Sequence, residues 1–289
     1  MKNTRIRRGV AALAAASLAL LTACGGSTED TQPAGLRIVS LSPTATEMLY
    51  AIGAGDQVVA LDSLSTYPAE TADKVTKISA FEPNAEAILA YEPDAVLISN
   101  DMNKITEQLT KADPAIKVWT GAMAATLDDV YTQITELGAL TDREDQAAGL
   151  VDSMKSQIAA ATEGVTAPAG SSYYYELDNT YYSMTSKTFV GSLIASTGIR
   201  NIADDVEAGN DWPQLSAEAI VKADPSVIYL ADIKCCQQNA DTVAARAGWS
   251  GISAVKNARV IEIDDDIASR WGPRVVDLVK ILVDAIKAL

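Results

Sequence analysis

The stretch 85–98, AEAILAYEPDAVLI, is answered 132 residues later by 217–230, AEAIVKADPSVIYL. Aligned without a gap, both begin Ala-Glu-Ala-Ile, place an acidic residue before a proline, and end in an apolar, β-rich run. The proline cannot continue a helix and pushes the residue before it out of the helical region, so each unit reads helix, turn, buried strand. Helix–loop–strand units converge on such patterns, but a shared start in each half of the chain points to two related lobes.

The flanks agree. Strands are expected at 36–41, 57–61, 94–99 and 117–120, with a helix over 44–52 stopped by Gly53. From 126 to 163 the strand signals cease. An amphipathic helix is expected over 126–137, then a longer one over 142–162, ~30 Å at 1.5 Å per residue, ended by Gly164 and Pro168. Alternation resumes with strands at 172–177, 227–230 and 260–263 and helices at 189–196, 217–223 and 275–288. Strands alternating with helices make parallel α/β units. The expectation is an α/β chain with an N-terminal lobe at 36–140, a linker helix at 141–166 and a C-terminal lobe at 167–289.

The N-terminus carries an address. Lys2, Arg5, Arg7 and Arg8 precede an apolar run from Val10 to Leu21, too short for a comfortable membrane span but suited to a signal peptide. Leu21-Thr22-Ala23-Cys24 resembles the bacterial lipobox, which makes residues 1–23 a lipoprotein signal peptide and Cys24 the lipidated first residue of the mature chain. Residues 24–35, small and polar, read as a flexible tether. The expected location is extracytoplasmic, held to the cell membrane by lipid at Cys24 alone.

Composition removes several classes of function. The formal charge is −15, and the expected signal peptide takes four bases and no acid with it. So acidic a surface repels nucleic acid and anionic headgroups. Histidine is absent, and with it the commonest general base and the usual zinc ligand. Neither G-x-S-x-G nor a P-loop is present. No catalytic residue, resident cofactor or metal site is expected. An exported α/β hydrolase or transferase and a bare zinc or manganese carrier stand as the rival readings.

Four blocks in order, RIVSLSPTATEMLYAIGAGDQVVAL (37–61), NAEAIL…EPDAVLIS (84–99), WPQLSAEAIVKADPSVIYL (212–230) and VIEIDDDIASRWGPRVVDL (260–278), resemble the helical-linker periplasmic binding proteins of ABC importers. Members bind cobalamin, ferric siderophores or haem. The resemblance implies two Rossmann-like lobes joined by a single long helix, a ligand cleft between them, and a monomer that hands a metal chelate to a permease. Corrinoid is the first expectation, ferric siderophore the second, haem the third.

Site residues follow from the same resemblance. Glu86 and Glu218 match the glutamates, one per lobe, that meet permease arginines in the family. A carboxylate in the first helical turn is also favoured by the helix dipole, by about 0.3–1 kcal/mol, which accounts for each glutamate separately. Trp212 and Tyr67 resemble aromatics that line the cleft of cobalamin-binding members, Phe81 sits near a third with its spacing to Glu86 one residue shorter, and loop aromatics also pack over lobe edges. Where those members carry a further aromatic in the last cleft loop, this chain has Ile267. Arg270, close by, is suited to an anionic chelate through its permanent charge and planar fork, or to solvent. Tyr173 and Tyr175 fall on one face of a strand and Tyr174 on the other; they read as core and rim packing, with a tyrosinate ligand to haem iron the alternative. For Cys235–Cys236 a strained vicinal disulfide, free thiols and a soft-metal site remain open.

Overall fold

The computed structural model describes residues 35–289. The expected signal peptide, Cys24 and nearly all of the tether lie outside the described residues.

The first element is β1 (Ile38–Leu41), every residue buried. Ser42 then caps α1 (Pro43–Ala51) by accepting the Ala45 amide, with Pro43 in the first turn where its missing N–H costs nothing. There follow β2 (Val58–Leu61), α2 (Ala85–Leu89), β3 (Ala95–Ile98), α3 (Ile105–Ala112) and β4 (Lys117–Thr120). All pairings are parallel, in the order β2-β1-β3-β4. A parallel sheet covered on both faces needs continuous apolar strands, which IVSL and AVLI nearly supply.

Two helices come next, α4 (Leu127–Thr141) and α5 (Glu144–Thr162). The sequence reading stopped α4 at residue 137. The helix continues through Gly138 to Thr141, and the glycine is there for packing, since a Cβ would meet the Ala147 Cβ at 2.5 Å. Only glycine lets the two helices approach so closely. Asp142, left-handed at φ 55°, turns the chain from one to the other. On α5, Ala147, Val151, Met154 and Ile158 form one buried stripe.

The second sheet repeats the first. Its elements are β5 (Ser172–Glu176), α6 (Phe189–Ala195), β6 (Arg200–Asn201), α7 (Ala217–Ala223), β7 (Val227–Leu230), α8 (Ala240–Ala244), α9 (Ser253–Lys256), β8 (Val260–Glu262), α10 (Asp265–Ser269) and α11 (Val275–Lys287). The order β6-β5-β7-β8 is again wholly parallel. The repeated sequence units therefore occupy the same place in each lobe, α2–β3 in one and α7–β7 in the other.

Tyr173 and Tyr175 point to one face, where Tyr173 meets Tyr229 edge-on at 5.9 Å. Tyr174 points to the other, 6.2 Å from Trp249. All three are core, as alternation implied.

The last helix does more than close its own lobe. On α11, Leu278, Leu282, Ala285 and Ile286 pack into the C-terminal core. Val275, Val276, Val279 and Val283 join the N-terminal core with Met154 and Ile158 of α5. Each of these valine, leucine, isoleucine and methionine side chains, fully buried, is worth about 1.5–3 kcal/mol. The lobes are thus connected by α5 and also share α11.

Candidate functional site

In parallel α/β sheets, ligands collect beyond the carboxyl ends of the strands. Here the loops leaving β4 and β5 and the segments around α6, α7 and α10 enclose a cavity of about 440 Å³ between the lobes. The N-terminal lobe contributes Met123, Ala124 and Ala125. The C-terminal lobe contributes an aromatic and thioether wall: Tyr175, Met184, Phe189, Trp212 and Trp271. A space of about 240 Å³ adjoins it and shares Ser269, Arg270 and Trp271. That space shares Pro43, Leu64 and Ser99 with another of about 130 Å³, bordered by Phe81. The three form a run along the cleft, with Trp212 at one end and Phe81 at the other.

Trp212 is 44% exposed and Phe81 63%, large apolar side chains left partly uncovered among the described residues. Tyr67 is not on this run. Its ring lies under the Arg274 guanidinium, 4.1 Å from the centroid, and borders a different hollow with Glu47, Tyr50 and Pro273.

Arg270 borders the cavity, but its fork is occupied. It donates to Glu47 Oε1 at 2.9 Å, to Asp266 Oδ1 at 2.6 Å and to the Leu64 carbonyl at 3.1 Å. Arg274 donates its Nε to the other oxygen of Glu47 at 2.9 Å. Glu47 belongs to α1 and both arginines to the chain between α10 and α11, so this buried cluster ties one lobe to the other. The cation of the cavity without a side-chain partner among the described residues is Lys187, which is exposed. Sequence reasoning passed over Lys187 and Glu47. An acid inside the apolar run of α1, Thr-Glu-Met-Leu at 46–49, was the available signal for the latter.

Deeper in the C-terminal lobe, Glu176 ends β5 and is fully buried. Arg246 grips it with two bonds of 2.6 Å and stacks 4.5 Å over Trp249. Asp232, beyond β7, is also buried, and neither of its carboxyl oxygens accepts a hydrogen bond from a donor among the described residues. Burial first, then the neighbouring Glu176 charge, pushes its carboxyl up to about 7.

Glu86 and Glu218 stand in the first turns of α2 and α7, capped by Asn84 and Ser216. Both are exposed, and neither side chain has a hydrogen bond or ion pair among the described residues.

The chain resembles known proteins along nearly its whole described length. The family profile "Periplasmic binding protein" matches residues 38–267. The Bacillus subtilis ABC transporter substrate-binding lipoprotein YvrC is 34% identical over 257 residues, covering 86% of this chain and 79% of that one. A cobalamin-binding protein of Halobacterium salinarum is 30% identical over 258 residues, 86% of this chain and 68% of its own. Among solved structures, a possible iron-binding periplasmic solute-binding protein of Staphylococcus epidermidis superposes with a TM-score of 0.72 at 29% identity, covering 87% of this chain and 98% of that one. The haem-binding protein BhuT, at 23% identity and a TM-score of 0.73 over 87% and 99%, shares the fold. From the profile match, these relatives and the two-lobed architecture, the chain belongs to the periplasmic binding protein family and is a solute-binding protein, not an enzyme.

Proposed function

We propose that this chain is the lipid-anchored binding component of an ABC importer and that it takes a metal chelate into the interlobe cleft. The carrying observation is the run of connected spaces from Trp212 to Phe81, walled by aromatic and thioether side chains. Such a wall suits a broad, flat ligand, since an aromatic ring buries 150–250 Å² when covered. Corrinoid stands first, supported by the cobalamin-binding relative at 30% identity. Ferric siderophore is second, with Lys187 the free cation for an anionic chelate and Arg270 engaged as an interlobe tie. Haem is third, because no histidine is present to ligate its iron. Tyr67, under the Arg274 guanidinium and beside a separate hollow, is proposed to contribute by fixing Arg274. The lipid anchor rests on the lipobox at Cys24 and on the lipoprotein relative.

The test of the ligand is a screen of the purified protein against cyanocobalamin, ferric hydroxamate and ferric catecholate chelates, and haem, read by tryptophan quenching and visible absorbance. A saturable complex with one class supports the reading. Quenching by none of them contradicts it.

Glu86 and Glu218 are proposed to grip the permease, one from each lobe. Interfacial charge pairs have measured couplings that exceed those of exposed pairs, so reversing either should weaken docking about tenfold or more. Uptake of labelled ligand should fall further for Glu86→Lys with Glu218→Lys than for either alone, while affinity in solution stays constant. Normal uptake by the double variant would reduce both to helix-start residues.

A further inference from the structure

Two neighbouring cysteines stand outside the cavity, in the turn that follows β7. Cys235 is exposed, Cys236 half-buried, and their sulfurs are 2.7 Å apart. The turn is held on both sides. The amides of Lys234 and Cys235 donate to the two oxygens of Asp265 at 2.9 and 2.8 Å. Lys234 Nζ reaches Asp264 and Asp266 at 2.7 and 2.8 Å. Behind it, the Cys236 amide donates to the Asp232 carbonyl, and Gln238 links the Cys236 carbonyl to Arg246. A left-handed Gln237, φ 54°, lets the chain leave towards α8. The partners on the first side are the start of α10. Asp266 then holds Arg270, and Arg270 holds Glu47 of the other lobe. The cysteine turn therefore buttresses the segment that ties the lobes together.

We propose that Cys235 and Cys236 form a redox modification site, closed to a vicinal disulfide by exchange with a low-molecular-mass or protein disulfide, and that closure stiffens the segment 264–270. In the exchange one sulfur attacks the incoming disulfide, forming a mixed disulfide and expelling one thiol. The second sulfur then attacks its neighbour, forms the Cys235–Cys236 bond and expels the second thiol. The pair loses two electrons and two protons, and the incoming disulfide gains both. Disulfides persist in extracytoplasmic compartments. Bridging residues whose Cα atoms are ~3.8 Å apart falls below the usual span of about 4.4–6.8 Å, and the resulting strain makes the bond reducible. The modification is thus reversible. Partial burial, the adjacent sulfur and the Asp265 charge push the Cys235 thiol up to about 12, so exchange quickens as pH rises.

The experiment incubates the purified protein with oxidised glutathione, alkylates it under denaturing conditions, and maps the tryptic peptide 235–246, which contains both cysteines and no other. The expected peptide is two hydrogens lighter, carries no alkyl group, and regains two after reduction, while the protein stays monomeric. Two alkylated thiols, a persistent glutathione adduct or a cross-linked dimer would overturn the site. Hydrogen exchange on the same samples is expected to slow at the Lys234 and Cys235 amides and across 264–270 in the closed form. Closure with unchanged exchange there would overturn the coupling to the interlobe tie. Both readouts use the unsubstituted protein, so neither depends on a variant folding.

Discussion

The two lobes share one topology and finish their sheets in opposite ways. Matching β3 to β7 and β1 to β5 by register sets Ile38, Val39, Ser40 and Leu41 against Tyr173, Tyr174, Tyr175 and Glu176. In the N-terminal sheet the two central strands, β1 and β3, carry no aromatic residue, and β1 is followed by hydroxyls. The Thr46 hydroxyl lies 2.9 Å from Ser40 and 3.0 Å from Ser65, and Ser65 donates to buried Asp62. The central strands of the C-terminal sheet are rich in tyrosine and are followed by charge, with Glu176 and Asp232 buried and Arg246 pairing Glu176 while stacked over Trp249. The same lobe supplies most of the cavity wall and the cysteine turn. One duplicated scaffold thus carries a plain half and a specialised half, consistent with function being carried by sites added to a fold.

The comparison implies unequal costs for similar cuts. Arg246→Leu leaves Glu176 buried without its partner, and breaking such a pair costs about 3–5 kcal/mol. Thr46→Val, the equivalent cut in the hydroxyl network, should cost about 1–2 kcal/mol. Urea unfolding of both variants checks the ratio, and equal losses would erase the distinction between the lobes.

Both lobes bury a carboxyl that burial raises, Asp62 in the N-terminal lobe and Asp232 in the C-terminal one, and the second sets a defined pH window. Asp232 takes up its proton near neutrality when folded, since its carboxyl is raised to about 7, but only near pH 4 when unfolded. Between those values the folded state binds more protons, so stability falls as pH rises through the window and is regained on acidification. From pH 8 to pH 5 the protein should gain about 1–3 kcal/mol from this group. Asp232→Asn should flatten that slope. An identical slope in the variant would mean that Asp232 is not the titrating group.

How far the sequence revealed this depended on whether a feature was local. Lys117–Thr120, Ala217–Ala223 and Val227–Leu230 were read with the bounds the structure shows, because proline or polar turns flank strongly patterned runs. Arg200–Asn201 was missed, since a two-residue strand has no period. The alternation of the three tyrosines was visible, and their partners Tyr229 and Trp249 were not. Trp212, Arg270 and Phe81 were singled out from neighbouring motifs. That Glu47 would occupy Arg270 depends on a contact across 223 residues, for which no local pattern exists. The separation of Tyr67 from the cleft run is equally tertiary.

The aromatic core of the specialised half predicts a small effect. The Tyr229 hydroxyl donates to the Leu282 carbonyl at 2.8 Å, whereas the Tyr174 hydroxyl has no partner among the described residues. Tyr229→Phe should cost about 0.5–1.5 kcal/mol. Tyr174→Phe should be neutral or slightly stabilising in thermal melts, and a loss above about 1.5 kcal/mol would reveal a polar interaction at that hydroxyl.

The account as a whole rests on ligand binding at the specialised wall of the cleft, and Trp212 tests it most directly. Its indole is half exposed at one end of the connected spaces and carries no core packing burden. With whichever chelate the screen identifies, equilibrium titration of Trp212→Ala should give a Kd at least about tenfold weaker, a change of about 1.4 kcal/mol, at an unaltered melting temperature. Unchanged affinity with a lowered melting temperature would place Trp212 in the structure of the lobe and the ligand elsewhere.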